Sequence, residues 1–222
     1  MAGVSAAAAA GASWAEVDIQ YTADFVPLLY HDADLQRVSG DARTLIESNW
    51  SDICDLPASY PSRFGAAFEQ TRISSLSDLI EASSDWPDLR LFIELKRESI
   101  EHFGSERIVE DISEKIAAAV SRDQIAAIIS KHDVVIEKMR ERSGLPVGWV
   151  VPDLSADTAS RAKEMDFDFM FINKKRFSAW QDGHKKTEQW VVYTVNDLDT
   201  ARDFCAAGAD MIETDVFEKL GS

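Results

Sequence analysis

The chain has 222 residues, 45% of them hydrophobic, which is enough for the packed core of one large domain. Its 39 acidic residues outnumber its 23 lysines and arginines and give a net charge of −16, which argues against sequence-independent binding of nucleic acid or of an anionic membrane. No stretch approaches the roughly 20 apolar residues needed to cross a bilayer, so we expect a soluble protein.

The chain begins with an alanine-rich segment, including five consecutive alanines from Ala6 to Ala10. Alanine is the best helix former and Gly11 suits a helix end, so a short helix is predicted. A signal peptide is the alternative, but its positively charged start is absent. Cys54 and Cys205 are too few for a disulfide framework and are predicted to be reduced, buried thiols of a cytoplasmic protein.

The first strand is predicted over Ala15–Thr22, and a short extended segment, Val26–Tyr30, follows it. Residues i and i+2 share a face of a strand, so Glu16 and Asp18 point the same way. Neighbouring carboxylates repel each other, and a hard cation such as Mg²⁺ or Ca²⁺ removes that repulsion.

Alternating helices and strands are predicted for the rest of the chain. The polar stretch 32–71, rich in glycine and proline, is predicted to be a small insertion made of loops. A helix is predicted at 75–82, a strand at 89–96 and a helix at 106–120. Further strands are predicted at 125–129, 147–151, 167–172, 190–195 and 209–213, with helices at 134–142, 157–165 and 198–206.

This order predicts an α/β fold of the TIM type in a single domain over residues 1–222. A closed (β/α)₈ barrel has eight strands, whereas only seven are counted from Ala15 onward, so the first strand is predicted to be absent from the chain as given. An open doubly wound sheet is the alternative, but no glycine-rich phosphate loop follows the first strand. A missing strand leaves two unpaired edges, so we expect the chain either to be unstable alone or to cover the gap. The cover could be the Ala6–Ala10 helix, domain exchange, or an edge contact with a second copy in a homo-oligomer.

Candidate site residues lie at the carboxyl ends of the predicted strands, where such barrels place their active sites. Glu94 joins Glu16 and Asp18 as a third acid, and together they predict a Ca²⁺ or Mg²⁺ site. Lys96 shares a face with Glu94, and His31 is a candidate for proton transfer. His132 and His184 are weaker candidates, and Lys185 and Lys186 are interpreted as solvated loop charges.

Five ordered blocks of sequence resemble the glycerophosphodiester phosphodiesterases. The blocks are Glu16-Val17-Asp18 through His31-Asp32, Ile73-Ser74-Ser75-Leu76, Ile93-Glu94-Leu95-Lys96, Tyr193-Thr194-Val195-Asn196, and Gly208-Ala209-Asp210 through Thr214-Asp215. The resemblance covers residues 11 to 215.

The resemblance implies a (β/α)₈ barrel that hydrolyses glycerophosphodiesters to glycerol 3-phosphate and an alcohol. It implies that Glu16, Asp18 and Glu94 bind Ca²⁺ or Mg²⁺ and that His31 transfers protons. It also implies that Lys96 helps to neutralise the phosphate, and we expect Asn196 to contact the substrate.

The chain departs from the family pattern at its start. Family members carry a His-Arg-Gly motif on the first strand and a Glu-Asn-Thr motif soon after it, and neither occurs here. A degenerate barrel that binds a divalent cation or a phosphate ligand without turnover is therefore the alternative function. A third possibility is that Met1 is a misassigned start.

Overall fold

The computed structural model describes residues 1–119, 122–181 and 188–220. His184, Lys185 and Lys186 lie outside these ranges. The strands are β1 (Trp14–Tyr21), β2 (Pro27–Leu29), β3 (Arg90–Leu95), β4 (Ile125–Ser130), β5 (Val147–Val150), β6 (Phe169–Asn173), β7 (Gln189–Tyr193) and β8 (Met211–Ile212).

Within the described ranges the helices fall between these strands and at the two ends. They are α1 (Ala2–Ala9), α2 (Gln36–Ser39), α3 (Trp50–Ile53), α4 (Pro61–Phe64), α5 (Leu76–Ala82), α6 (Arg97–Phe103), α7 (Ser105–Ala118), α8 (Asp133–Ser143), α9 (Ala156–Glu164), α10 (Phe177–Gln181), α11 (Leu198–Ala206) and α12 (Phe217–Leu220).

The eight strands form one curled sheet in the order β2-β1-β3-β4-β5-β6-β7-β8. Seven strands are parallel, as predicted, and only β2 runs antiparallel, pairing with β1 through Ile19–Tyr21. In the described part of the chain, β8 pairs with β7 alone, so the sheet stays open between β8 and β1. The predicted TIM-type fold with seven barrel strands is confirmed.

Two layers of apolar side chains bury the two faces of the sheet. An outer core lies between the sheet and the helices and takes Val17 and Ile19 from β1. An inner cluster fills the concave face, and it comprises Phe92, Ala126, Ala127, Ile129, Val150, Phe169, Phe171 and Val191. A sheet buried on both faces explains why β4 is apolar without alternation.

Glycine is required at one position of this interior. A Cβ built on Gly148 of β5 would lie 2.8 Å from Cγ2 of Ile129 and 3.1 Å from Cβ of Phe169. The close approach of β5 to its neighbours therefore leaves no space for a side chain.

Helix boundaries follow local sequence signals. Ser75 and Asp78 form a capping box at the start of α5, in which the Ser75 side chain accepts from the Asp78 amide and the Asp78 side chain accepts from the Ser75 amide. The alanine-rich start forms α1 as predicted, and Val4 and Ala12 anchor it to the outer core.

Three features differ from the sequence-based expectation. Segment 32–71 is not only loops, because α2, α3 and α4 lie within it, each too short for a periodic pattern. Helices α6, α10 and α12 are not among the predicted helices. The thiols are free but not buried as expected, because Cys54 is only half-buried and Cys205 lies on an exposed position of α11.

The insertion has an apolar core of its own, made of Leu28, Tyr30, Leu35, Leu45, Ile53 and Ile73. Since Leu28 belongs to β2, this insertion core is joined to the sheet through the antiparallel pairing of β1 and β2. No helix in the described ranges is long and apolar enough to cross a membrane.

Candidate active site

Three acids predicted to act together do converge. Asp18 on β1 is the register partner of Glu94 on β3, which puts both side chains at one level of the sheet. Glu16, Asp18 and Glu94 each offer a carboxylate oxygen within 4.8 Å of the other two. Parallel pairing and strand alternation bring them together, since Val17 and Ile19 occupy the outer core.

Lys96 lies in the same cluster. Its Nζ is 3.1 Å from Oδ1 of Asp18 and 3.4 Å from Oε1 of Glu94, and only 8% of its side chain is exposed. Burial alone would lower the pKa of Lys96, but the neighbouring carboxylates outweigh burial and raise it. The lysine is therefore held as a cation at the carboxyl ends of β1 and β3.

Lys96 alone does not neutralise the negative charge of the three acids. Burial, followed by repulsion from Asp18, Glu213 and Glu94, raises the pKa of Glu16 well above its ordinary value. Burial also raises the pKa of Glu94, although Lys96 opposes the shift. One oxygen of Glu16, Oε1, is shielded from solvent and accepts no hydrogen bond from the described residues. Such a site favours a protonated acid or a bound cation.

His31 lies at the edge of the insertion, with 62% of its side chain exposed. Its Nδ1 is 2.8 Å from Oδ1 of Asp32, and because a carboxylate only accepts, Nδ1 carries a proton; Nε2 has no hydrogen-bond partner among the described residues. Arg37 holds Asp32 in turn, with Nε and Nη2 donating at 2.5 and 2.9 Å. The Arg37 guanidinium, partly offset by burial, lowers the pKa of Asp32, which keeps this carboxylate ionised.

A buried glutamine fixes the backbone of His31 against the sheet. Gln20 is fully buried, and its Nε2 donates to the carbonyl oxygens of His31 and Asp32 at 2.9 and 2.6 Å. Gln20 is two residues beyond Asp18 and so shares its face of β1. Sequence reasoning missed this role, because the partners are main-chain atoms in another segment.

Asn196 and His132 stand apart from the acidic cluster. Asn196 donates from Nδ2 to Oδ2 of Asp215 at 3.1 Å, and its Oδ1 accepts from Thr214 Oγ1 and from the Asp215 amide, both at 3.0 Å. His132 precedes α8, and its Nε2 is shielded and without a hydrogen-bond partner in the described ranges. Neither residue has a hydrogen bond or ion pair with Glu16, Asp18, Glu94 or Lys96 among the described contacts.

Two further side chains face this end of the sheet. Burial and repulsion from Glu94 and Asp18 raise the pKa of Glu213, directly after β8, to about 8. Burial and the charges of Glu94 and Glu213 raise the pKa of Tyr193, at the end of β7, to about 12. In the sequence, Glu213 is recognisable only as an acid at the end of the last strand. The sequence alone does not show that the sheet curls and brings β8 towards β1.

A cavity of about 600 Å³ lies at the opposite end of the sheet, lined in part by Trp14, Arg90, Asp123 and Gln189. These residues stand at or near the amino ends of strands, where barrels do not place their catalytic groups. The converging carboxylates and Lys96 therefore mark the other end as the candidate active site.

Comparisons with known proteins identify the family and the fold. The sequence model of the glycerophosphoryl diester phosphodiesterase family matches residues 1–219. A phosphodiesterase from Oleispira antarctica, solved in complex with the product sn-glycerol-3-phosphate, is 20% identical, with 97% of this chain and 86% of that chain covered and a TM-score of 0.84.

Two more solved structures share the fold. A putative glycerophosphoryl diester phosphodiesterase from Silicibacter pomeroyi is 19% identical over 97% of this chain and 84% of that chain, with a TM-score of 0.80. A glycerophosphodiester phosphodiesterase from Parabacteroides distasonis is 19% identical over 98% of this chain and 86% of that chain, with a TM-score of 0.79. No curated protein matches the sequence. With its family match over nearly the whole chain, this protein belongs to the glycerophosphoryl diester phosphodiesterase family of phosphoric diester hydrolases.

Proposed function

We propose that the chain hydrolyses glycerophosphodiesters to glycerol 3-phosphate and an alcohol with the help of Ca²⁺ or Mg²⁺. The observation that carries the proposal is the convergence of Glu16, Asp18 and Glu94 within 4.8 Å of one another. Three carboxylates and no soft ligand are the donor set of a hard divalent cation. The shielded Oε1 of Glu16, which has no donor in the described ranges, supports a cation in this position.

In this proposal Glu16, Asp18 and Glu94 hold the cation, which supplies Lewis acidity to a phosphoryl oxygen when bound. Lys96 presents its ammonium to the phosphate from beside Asp18 and Glu94. A fixed positive charge in a partly buried site stabilises the charge that develops on the phosphoryl oxygens during transfer.

His31 carries the proton in this scheme. A water forms the new bond to phosphorus while the bond to the alcohol oxygen breaks; where a neighbouring hydroxyl of the substrate attacks instead, the alcohol leaves, a cyclic phosphate forms, and a water opens it in a second step to give glycerol 3-phosphate. Nε2 of His31 takes the proton from the attacking group or returns it to the alcohol, since Nδ1 is engaged by Asp32. Arg37 fixes Asp32 and thereby the orientation of the imidazole. Asn196 is proposed to contact the substrate.

One observation favours a second function. The motifs His-Arg-Gly and Glu-Asn-Thr do not occur in the 222 residues. The alternative proposal is a barrel that binds a divalent cation or a phosphate ligand through the same residues without hydrolysing it.

The test combines cation binding with hydrolysis of glycerophosphocholine. Ca²⁺ or Mg²⁺ should raise the melting temperature, because a ligand of the native state stabilises it by mass action, and Glu16→Gln or Glu94→Gln should abolish the gain. His31→Gln should keep the gain and lower glycerol 3-phosphate release by about 10²–10⁴-fold. Glu218→Gln, at an exposed position, is the matched control.

The outcomes separate the two functions. Cation-dependent glycerol 3-phosphate release supports the enzyme, and a melting-temperature gain without release supports the binding protein. If Glu16→Gln and Glu94→Gln respond to the cation as the parent does, the site is wrongly placed.

We also propose that the open edges of the sheet pair with a second copy of the chain and that the protein is cytoplasmic. Residues 14–17 of β1 have a strand neighbour only in β3, and β8 has one only in β7, within the described residues. Unpaired strand edges recruit partners. Light scattering over a range of concentrations tests the pairing, and a monomer at every concentration would contradict it.

A further inference from the structure

The insertion carries a group of exposed aromatic side chains in residues 60–72, which we call the insertion tip. Each of residues 61–70 is exposed, and Phe64 and Phe68 are 44% and 40% exposed. The two phenylalanine rings meet edge to face with centroids 5.2 Å apart, and Tyr60 meets Phe64 in the same way at 6.0 Å. Single exposed apolar residues are common, whereas a contiguous group of them indicates an interaction surface.

The insertion tip differs in charge from the chain as a whole. It contains Arg63, Arg72 and Glu69, a net charge of +1 in a chain whose net charge is −16. The guanidinium of Arg63 lies 5.0 Å from the centre of the Phe64 ring, and no ion pair with a described residue neutralises it. Aromatic rings beside such a cation suit the surface of a lipid layer, where rings enter the boundary between headgroups and acyl chains and cations stay at the phosphates.

These charges favour a zwitterionic lipid over the other possible partners. A symmetric contact between two copies uses the same patch on each, so it would bring together two tips of equal positive charge, each with an unpaired Arg63. An anionic membrane would repel the acidic remainder of the chain. A zwitterionic layer offers phosphates to Arg63 without a net negative surface charge.

A series of contacts joins the insertion tip to the candidate active site. The Arg37 guanidinium lies 4.7 Å from the centre of the Tyr60 ring. Arg37 also donates to Asp32, which accepts from Nδ1 of His31. A surface that contacts the tip therefore lies close to the proposed proton carrier.

We propose that the insertion tip docks the protein on a zwitterionic lipid–water interface, such as the surface of a phosphatidylcholine bilayer. Phe64 and Phe68 enter the boundary between headgroups and acyl chains, and Arg63 contacts the lipid phosphates. The docking does not depend on the proposed hydrolysis, although it brings the candidate active site close to phosphodiesters carried by lipids.

Sedimentation of the whole chain with phosphatidylcholine vesicles, over a range of lipid concentrations, tests the docking. The parent should sediment with the vesicles. Phe64→Ser and Phe68→Ser should each weaken the partitioning by about threefold to tenfold, because each removes a ring from the apolar part of the lipid layer. Val134→Ser is the matched control, since Val134 is 46% exposed and lies outside the tip, and it should partition as the parent does.

A parent that stays in solution at every lipid concentration overturns the proposal, and so do tip variants that partition as the parent does. Equal weakening by Val134→Ser would mean that exposed apolar surface in general, and not the tip, binds the lipid. Stronger binding to vesicles that also contain anionic lipid, at low ionic strength, would overturn the choice of a zwitterionic surface. If one tip variant does not fold, as judged by circular dichroism, the other decides alone.

Light scattering on the same variants separates the lipid from a second copy of the chain. Tip variants with a lower mass than the parent but unchanged vesicle partitioning would show that the tip binds another copy, which overturns the proposal. Weaker partitioning at an unchanged mass supports it.

Discussion

The two ends of the sheet are built from opposite kinds of side chain. At the carboxyl ends of the strands, Glu16 and Glu213 are half-buried beside other acids and have raised pKa values. At the amino ends, Trp14 stacks on Phe92 with ring centroids 5.3 Å apart, and Phe92 meets Phe169 edge to face at 4.9 Å. The concave face of the sheet therefore carries a cluster of mutually repelling acids at one end and a packed aromatic cluster at the other.

The aromatic end stabilises the fold, whereas the acidic end provides the charged groups of the candidate site. Aromatic packing removes apolar surface from water and stabilises the native state. Facing carboxylates repel each other and destabilise it until protons or cations arrive. The acidic end therefore lowers stability and the aromatic end restores it, as expected where function opposes stability.

The largest expected effect is at the aromatic end. Phe92→Ala should lower the free energy of unfolding by about 3–5 kcal/mol, because it leaves a cavity among Trp14, Phe169 and Phe171. Urea denaturation measures the loss. Phe64→Ala, at a position 44% exposed, is the control and should change stability by about 0.5 kcal/mol or less. Equal losses in the two variants would show that the aromatic end does not dominate stability.

The acidic end should make the free energy of unfolding of the metal-free protein depend on pH. Because the folded pKa of Glu213 is about 8, above the ordinary value of 4.5, the native state binds the extra proton between these values. The contribution of Glu213 to stability is then fully present below about pH 4.5 and is lost as pH rises through about 8, by up to about 1.4 kcal/mol per pH unit for one proton. Glu16 adds a slope of the same sign.

Urea denaturation in EDTA at a series of pH values between 5 and 9 measures this slope. Glu213→Gln should flatten it, whereas Phe92→Ala should lower the whole curve and leave its slope unchanged. A parent curve that rises between pH 5 and 8 would contradict the assignment.

The smallest expected effect is at the rim of the aromatic end. The guanidinium of Arg90 lies 5.5 Å from the centre of the Trp14 ring, and Arg90 is exposed. Exposed cation–π contacts contribute about 0.5–1 kcal/mol, so Arg90→Gln should reduce stability by about that amount. Its Ca²⁺-induced gain in melting temperature should equal that of the parent, and a smaller gain would show that the two ends are coupled.

The sequence predicts much of the candidate site because two local rules suffice. Strand alternation puts Glu16 and Asp18 on one face, and parallel pairing brings the ends of β1 and β3 together, as the register of Asp18 with Glu94 shows. The catalytic and metal-binding roles of these residues stay predictions.

The rest depends on long-range geometry that local patterns do not contain. Glu213 faces Asp18 only because the whole sheet curls, and Gln20 reaches His31 only because β2 folds back on β1. The helical turns of the insertion have four residues each, too few for a periodic signal. Cys205 shows that an apolar residue type in a helix does not by itself reveal which side faces the core.

Because the insertion has an apolar core of its own, it can unfold locally while the rest of the candidate site stays folded. The three acids and Lys96 are carried by β1, β3 and the residues next to them, whereas His31 follows β2, whose Leu28 is packed with Leu35, Leu45 and Ile53. Proteins open in cooperative units that follow such packing clusters. A partial opening of the insertion would take Arg37 away from Asp32 and free the orientation of the imidazole, while Gln20 keeps the backbone of His31 on β1 and the carboxylates stay assembled. The proposed proton transfer would then be lost in a state in which the proposed cation is still held.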